Sequence, residues 1–193
     1  KIGDVAAFDR PFEDLGNRIT SKALDDRIGV AVLIEVLKQI KNSPNELYFV
    51  FSTQEEVGLR GATTAAYGID PDLGIAVDVT GTGDTPRSSV MDVKLGAGPA
   101  IKVKDGGMLS DPRLVEAMVN CAKKQNIPYQ LEILLGGTTD AKAMQISRAG
   151  MPAGCVSIPS RYIHSPSEVV DYGDVENAVK LLKTLLSDLI VLA

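Results

Sequence analysis

The 193-residue sequence has no tryptophan, one histidine and two cysteines, and aromatic residues make up only 5 % of it. So thin an aromatic supply leaves little to stack against sugars, which disfavours a carbohydrate-cleaving enzyme even though paired carboxylates would permit one. Two cysteines are too few for a disulfide scaffold or a structural zinc site. Cys121 and Cys155 lie in the apolar contexts VEAMVNCAKK and AGCVSIP. That favours free, buried thiols in a reducing, cytoplasmic compartment over a disulfide. Basic excess is missing too: the net charge of −5 argues against a nucleic-acid partner, which would want a basic face. No apolar run reaches the roughly 18 residues a membrane-spanning helix needs, so no membrane partner is expected.

What the sequence does have is alternation of strand and helix patterns. Leu24, Ile28, Ala31, Val32, Val36 and Ile40 recur at helical spacing, and the polar run Asn42–Asn45 ends that helix. Leu47 to Thr53 is a nearly continuous apolar run of β-formers, which reads as a buried strand. Further helices are expected over 61–67, 111–125, 140–148 and 174–192, and further strands over 73–79, 100–104, 129–134 and 154–158. Residues 80–98, rich in Gly, Thr, Asp and Ser, read as a loop. This alternation predicts an α/β fold, a three-layer α/β/α sandwich on a mostly parallel sheet. One catalytic-type domain over 21–193 follows, with residues 1–20 as extended lead-in.

In such sheets the working groups gather beyond the carboxyl ends of strands. That rule selects QEEVG (54–58), DVTG (78–81), GGTTD (136–140) and YIHSP (162–166), with the DDR of 25–27 at a helix start. Asp25, Asp26, Glu55, Glu56, Asp78 and His164 then face one sheet edge. Five carboxylates crowded together are unfavourable unless a positive charge sits among them. Few cations lie nearby in sequence, chiefly Arg27 and Arg60. One or two divalent ions would serve better, and oxygen plus imidazole donors suit zinc, cobalt or manganese. Each residue also has a plainer reading: Asp25 and Asp26 as first-turn acids of a helix, Glu55 and Glu56 as a solvated strand end, Asp78 as a turn former, His164 as a packing residue. The adjacency of Glu55 and Glu56 permits a division of labour, one holding a cation and the other handling a water.

Taken in order, SKALDDRIG, STQEEVGLRGA, AVDVTGTGD, GGTTDA and PSRYIHSP resemble the tetrahedral-assembly glutamyl/leucyl metalloaminopeptidases. These belong to the two-metal, zinc-exopeptidase-like enzymes, and some members carry an endoglucanase label. The resemblance implies a two-metal aminopeptidase that hydrolyses N-terminal residues from peptides. It assigns Asp25 as the carboxylate bridging two ions, zinc or cobalt. Glu56 and His164 become the other protein ligands of one ion, Asp78 a ligand of the second, and Glu55 the general base and acid. Gly137 and Thr138 would line the substrate side, and Asp26 and Arg27 would orient the bridging group. The same family has a cis bond after the bridging Asp, so one is expected between Asp25 and Asp26.

The resemblance also implies what this sequence lacks. The family places another metal-binding histidine in a His-x-Asp motif upstream and inserts a β-rich accessory domain before the DDR motif. Here no histidine precedes His164, and the first residue is Lys. The chain is therefore expected to be a C-terminal portion, with 1–20 as the tail of the inserted domain and the N-terminal strands of the sheet missing. Its partners would be a peptide substrate, the absent N-terminal segment or a complementary chain, and further copies of itself, as in the dodecamers of the family. A related carboxypeptidase or deacylase, or an inactive fragment or assembly subunit, are the alternatives.

Overall fold

In the computed structural model, which describes residues 1–192, Leu24, Ile28, Val32 and Val36 become the buried stripe of helix α1 (Leu24–Gln39). Before it come β1 (Glu13–Asp14) and β2 (Arg18–Ser21). After it follow α2 (Arg60–Ile69), β3 (Gly74–Thr80), β4 (Ala100–Lys104), α3 (Pro112–Lys124), β5 (Gln130–Ile133), α4 (Asp140–Gln145), β6 (Ala153–Arg161), β7 (Glu168–Asp171) and α5 (Tyr172–Ser187). Side-chain caps start three of the helices. Asp111 accepts the Arg113 N–H, with Pro112 opening the first turn; Thr139 accepts from Ala141, and Asp171 from Gly173. Each satisfies a donor the helix itself leaves unpaired.

The strands join in one sheet of order β1-β2-β7-β6-β4-β5, with β3 pairing β6. β3 runs parallel to β6 over Gly74–Thr80, and β4 runs parallel to β5. β6 is antiparallel to both β4 and β7, and β7 to β2. The α/β class expected from the sequence is therefore what forms, but the sheet is mixed, not mostly parallel. The reason lies in the connections. Only residues 162–167 separate β6 from β7, and parallel neighbours need a crossover of about a dozen residues or more. Alternation along β3 sorts the layers. Ile75, Val77 and Val79 face the main core with α1, α3 and α5, whereas Ala76 faces a smaller cluster with Cys155 and Ala141 of α4.

Two expectations need correction. The final helix ends at Ser187, short of 192. The apolar run 47–53 forms no strand and pairs with none. Tyr48, Val50 and Phe51 are exposed, and only Phe49 packs on the main core. Between this segment and the free edge of β3 opens a cleft of about 1010 Å³, lined also by Val30 and Leu33 of α1. A strand needs a ladder partner to satisfy its backbone, and none stands beside this one. Strands β1, β2 and β7 were not anticipated; β2 spans the expected boundary at 20/21, while residues 1–12 carry no helix or strand. Among the described residues, no helix is long and apolar enough to cross a membrane.

Candidate functional site

The site assembles from four segments that end at one edge of the sheet. Asp25 and Asp26 lie in the first turn of α1 but break its geometry (φ −80°, ψ 107° at Asp25), and the bond between them is cis, as expected. Asp26 folds its carboxylate back onto the Gly29 N–H at 3.2 Å. Only glycine allows this, since a Cβ at 29 would stand 2.4 Å from Asp26 Oδ2. Arg27 is exposed, its backbone N–H donates to the Ala23 carbonyl at 3.3 Å, and its side chain has no hydrogen bond or ion pair among the described residues.

Glu55 and Glu56 follow the unpaired 47–53 segment. The Glu55 carbonyl accepts the Gly58 and Leu59 N–H groups, both at 2.9 Å, which turns the chain into α2. Asp78 occupies the carboxyl end of β3, its Oδ1 accepting the Val79 N–H at 2.7 Å. His164 sits in the short β6–β7 connection at φ 62°.

Asp25, Glu56 and His164 converge. His164 Nε2 is 3.1 Å from Asp25 Oδ2 and 3.3 Å from Glu56 Oε1. One donor atom from each of the three lies within 4.8 Å of the others. Two carboxylate oxygens and an imidazole nitrogen are donors of the type that zinc or cobalt takes, so these residues fit a metal ion. Asp78 stands outside that trio but within reach of its field, since the Asp25 and Glu55 charges act on it.

The electrostatics show what the arrangement lacks. Burial, then the charges of Asp78 and Asp25, push the Asp26 carboxyl up to about 9. Burial, with Asp25 and Glu55 adding to it, pushes Asp78 up to about 8 against the Val79 hydrogen bond. Glu55 rises to about 7, through burial and the charges of Asp140, Glu56 and Asp25. Asp25 rises to about 6, through burial and Glu56, with His164 opposing. Burial is the largest cause at all four carboxyls and their mutual repulsion adds to it, a burden that a bound divalent ion would offset.

Gly137 and Thr138 lie farther round the edge. The Gly137 carbonyl accepts the Gly106 N–H at 2.9 Å, and the Thr138 hydroxyl is buried without a partner. Their loop reaches the acidic cluster through Asp140, which accepts the Ser52 hydroxyl and whose charge acts on Glu55 and Asp26. Sequence reasoning did not single out Asp140, although it lies within the GGTTDA motif. It also missed Glu168, four residues past His164, and nothing in the sequence distinguishes that carboxylate from a surface one.

A family profile described as M42 glutamyl aminopeptidase matches residues 1–181. The chain belongs to the M42 glutamyl aminopeptidase family. Lysyl aminopeptidase of Pyrococcus furiosus is 41 % identical to this M42 chain over 191 residues, 98 % of the chain and 54 % of that protein. Aminopeptidase APDkam598 from the archaeon Desulfurococcus kamchatkensis superposes with a TM-score of 0.90 at 48 % identity, covering 93 % of this chain and 52 % of that one. The Pyrococcus horikoshii TET1 peptidase, which can assemble into a tetrahedron or a large octahedral shell, gives a TM-score of 0.83 at 33 % identity over 94 % of this chain and 54 % of its own. The M42 chain thus spans about half the length of the relatives it matches.

Proposed function

We propose that this chain carries the metal-binding and acid–base groups of an aminopeptidase that removes N-terminal residues from peptides. The observation that carries this reading is the meeting of Asp25, Glu56 and His164 around one point in a chain of the M42 family. Asp25, Glu56 and His164 would hold one divalent ion, and Asp25 and Asp78 would hold a second, zinc or cobalt in each case. Bound there, the ions would supply Lewis acidity: an activated water and a polarised peptide carbonyl. Glu55 stands beside the ligands with its carboxyl near neutrality, at about 7. A group so poised takes a proton from the attacking water and returns it to the leaving amine. Gly137 and Thr138 line the substrate side.

The cleft beside β3 bears on what completes the enzyme. β3 pairs only with β6, and a strand edge left without a partner is open to pairing with a further strand. The cleft holds about 1010 Å³. In this reading a strand-forming segment from outside these 193 residues, on the same polypeptide or a complementary chain, fills it and supplies the further histidine. Residues 1–20 lead in from an accessory domain, and the completed protein assembles as a homo-oligomer. The setting is cytoplasmic, in keeping with two free thiols. By the same reading, the 193 residues alone are inactive.

Hydrolysis of free and N-blocked peptides by the protein, with and without the complementing segment, tests this. Cleavage confined to free N-termini, dependent on added zinc or cobalt, is expected. Equal cleavage of N-blocked substrates would instead favour a deacylase or carboxypeptidase.

A further inference from the structure

Glu168 opens β7 and is 2 % exposed. No Lys, Arg or His side chain forms an ion pair with it among the described residues. A buried carboxylate without a cationic partner is costly unless hydrogen bonds hold it. Its two oxygens are held by two backbone donors: Oε2 accepts the Asp25 N–H at 2.9 Å and Oε1 accepts the His164 N–H at 3.0 Å. Those are two of the three residues that converge, drawn from opposite ends of the chain.

Both donors sit where regular structure does not hold the backbone. His164 is at φ 62°, a region non-glycine residues seldom occupy. Asp25 interrupts the first turn of α1. Each therefore lacks the ladder or helix hydrogen bonds that would fix its Cα–Cβ direction. One rigid carboxylate, anchored in a strand whose Glu168 pairs with Ser21 of β2, supplies both.

We propose that Glu168 is a positioning residue that clamps the Asp25 and His164 backbones together, so that their side chains meet in metal-binding geometry. The proposal rests on the metal reading above and concerns a residue that touches neither substrate nor ion. Residues hydrogen-bonded behind metal ligands typically shift metal affinity by about ten- to one-hundred-fold, and a loss of that size is expected here.

The test is calorimetric titration of zinc and of cobalt into the metal-free protein, for the wild type, Glu168→Asp and Glu168→Gln. Glu168→Asp keeps the charge but is one methylene too short to reach both amides. Glu168→Gln keeps the length and loses one acceptor. Each should weaken cation binding at least tenfold while the metal-free melting temperature stays within a few degrees. In both metal-free variants the Asp25 or His164 amide should exchange faster than in the wild type. Glu168→Asp binding cations like the wild type would overturn the clamp, as would variants that melt earlier but bind unchanged when folded. A wild type that binds no cation would overturn the metal reading and the clamp with it, whereas a wild type that binds and variants that match it sink the clamp alone.

Discussion

The Asp25 carboxylate stands 3.1 Å from the His164 imidazole, although one lies at the start of the first helix and the other in the last strand connection. Glu56 joins them at 3.3 Å. Glu55 lies next to this group without being one of the three, and that separation makes the two neighbouring glutamates distinguishable by experiment. In the protein completed by the complementing segment, Glu55→Gln should lower kcat by about 10²–10⁴-fold, the range for losing a general acid–base group. Cation binding, followed by calorimetry, should persist. Glu56→Gln should instead weaken cation binding.

Removing metal should change how stability depends on pH. Unfolded aspartates release their protons near pH 4. In the metal-free fold, Asp78 keeps its proton up to about 8 and Asp26 up to about 9. The folded state therefore binds more protons between those limits, and its stability falls as pH rises from about 4 to about 9. Urea midpoints of the metal-free protein should decline across that window, and zinc or cobalt should raise them most at its upper end. Midpoints that climb between pH 5 and pH 8 without metal would contradict the clustering of these acids.

The opposite sign applies at Asp84. Its carboxylate takes two hydrogen bonds from Arg161, at 2.8 and 3.1 Å, and one from the Leu95 N–H at 3.0 Å. The guanidinium holds it well below the usual carboxylate range. That contribution is complete above about pH 4 and is lost as acid protonates the group. Arg161→Gln should melt earlier than the wild type at pH 7, with the gap narrowing towards pH 2. Because this pair ties the 81–98 loop to the end of β6, the variant should also exchange its loop amides faster.

Lys102 and Glu132 form an ion pair between β4 and β5 with neither side chain exposed, and the Thr80 hydroxyl donates to the same carboxylate at 2.7 Å. Cutting one member leaves a buried charge alone. Lys102→Met should cost about 3–5 kcal/mol in chemical denaturation, and the double variant Lys102→Met/Glu132→Leu should recover most of it. Additive losses would show that the pair is not coupled.

Much of this protein was legible in one dimension. The helical spacing of Leu24, Ile28, Val32 and Val36, and the helices expected to start near Asp111 and Asp140, rest on local signals, and the structure follows them. The chemical types gathered at the strand ends were visible too, because carboxylates and a lone imidazole are conspicuous between apolar runs. The run 47–53 has the letters of a buried strand yet pairs with nothing, since a strand is made by its neighbour and not by its own residues. β7 escaped notice because four residues carry too little periodicity.

The sequence by itself determined which side chains are available to bind a cation, for that depends on residue identity. Only the tertiary structure decided that Asp25, Glu56 and His164 meet, that the charge of Asp140 acts on Glu55, and that a buried Glu168 accepts the backbone N–H groups of two of the three. Distances between groups far apart in the chain follow from sheet order and strand direction. Those are set by how the whole core packs, which no local pattern encodes.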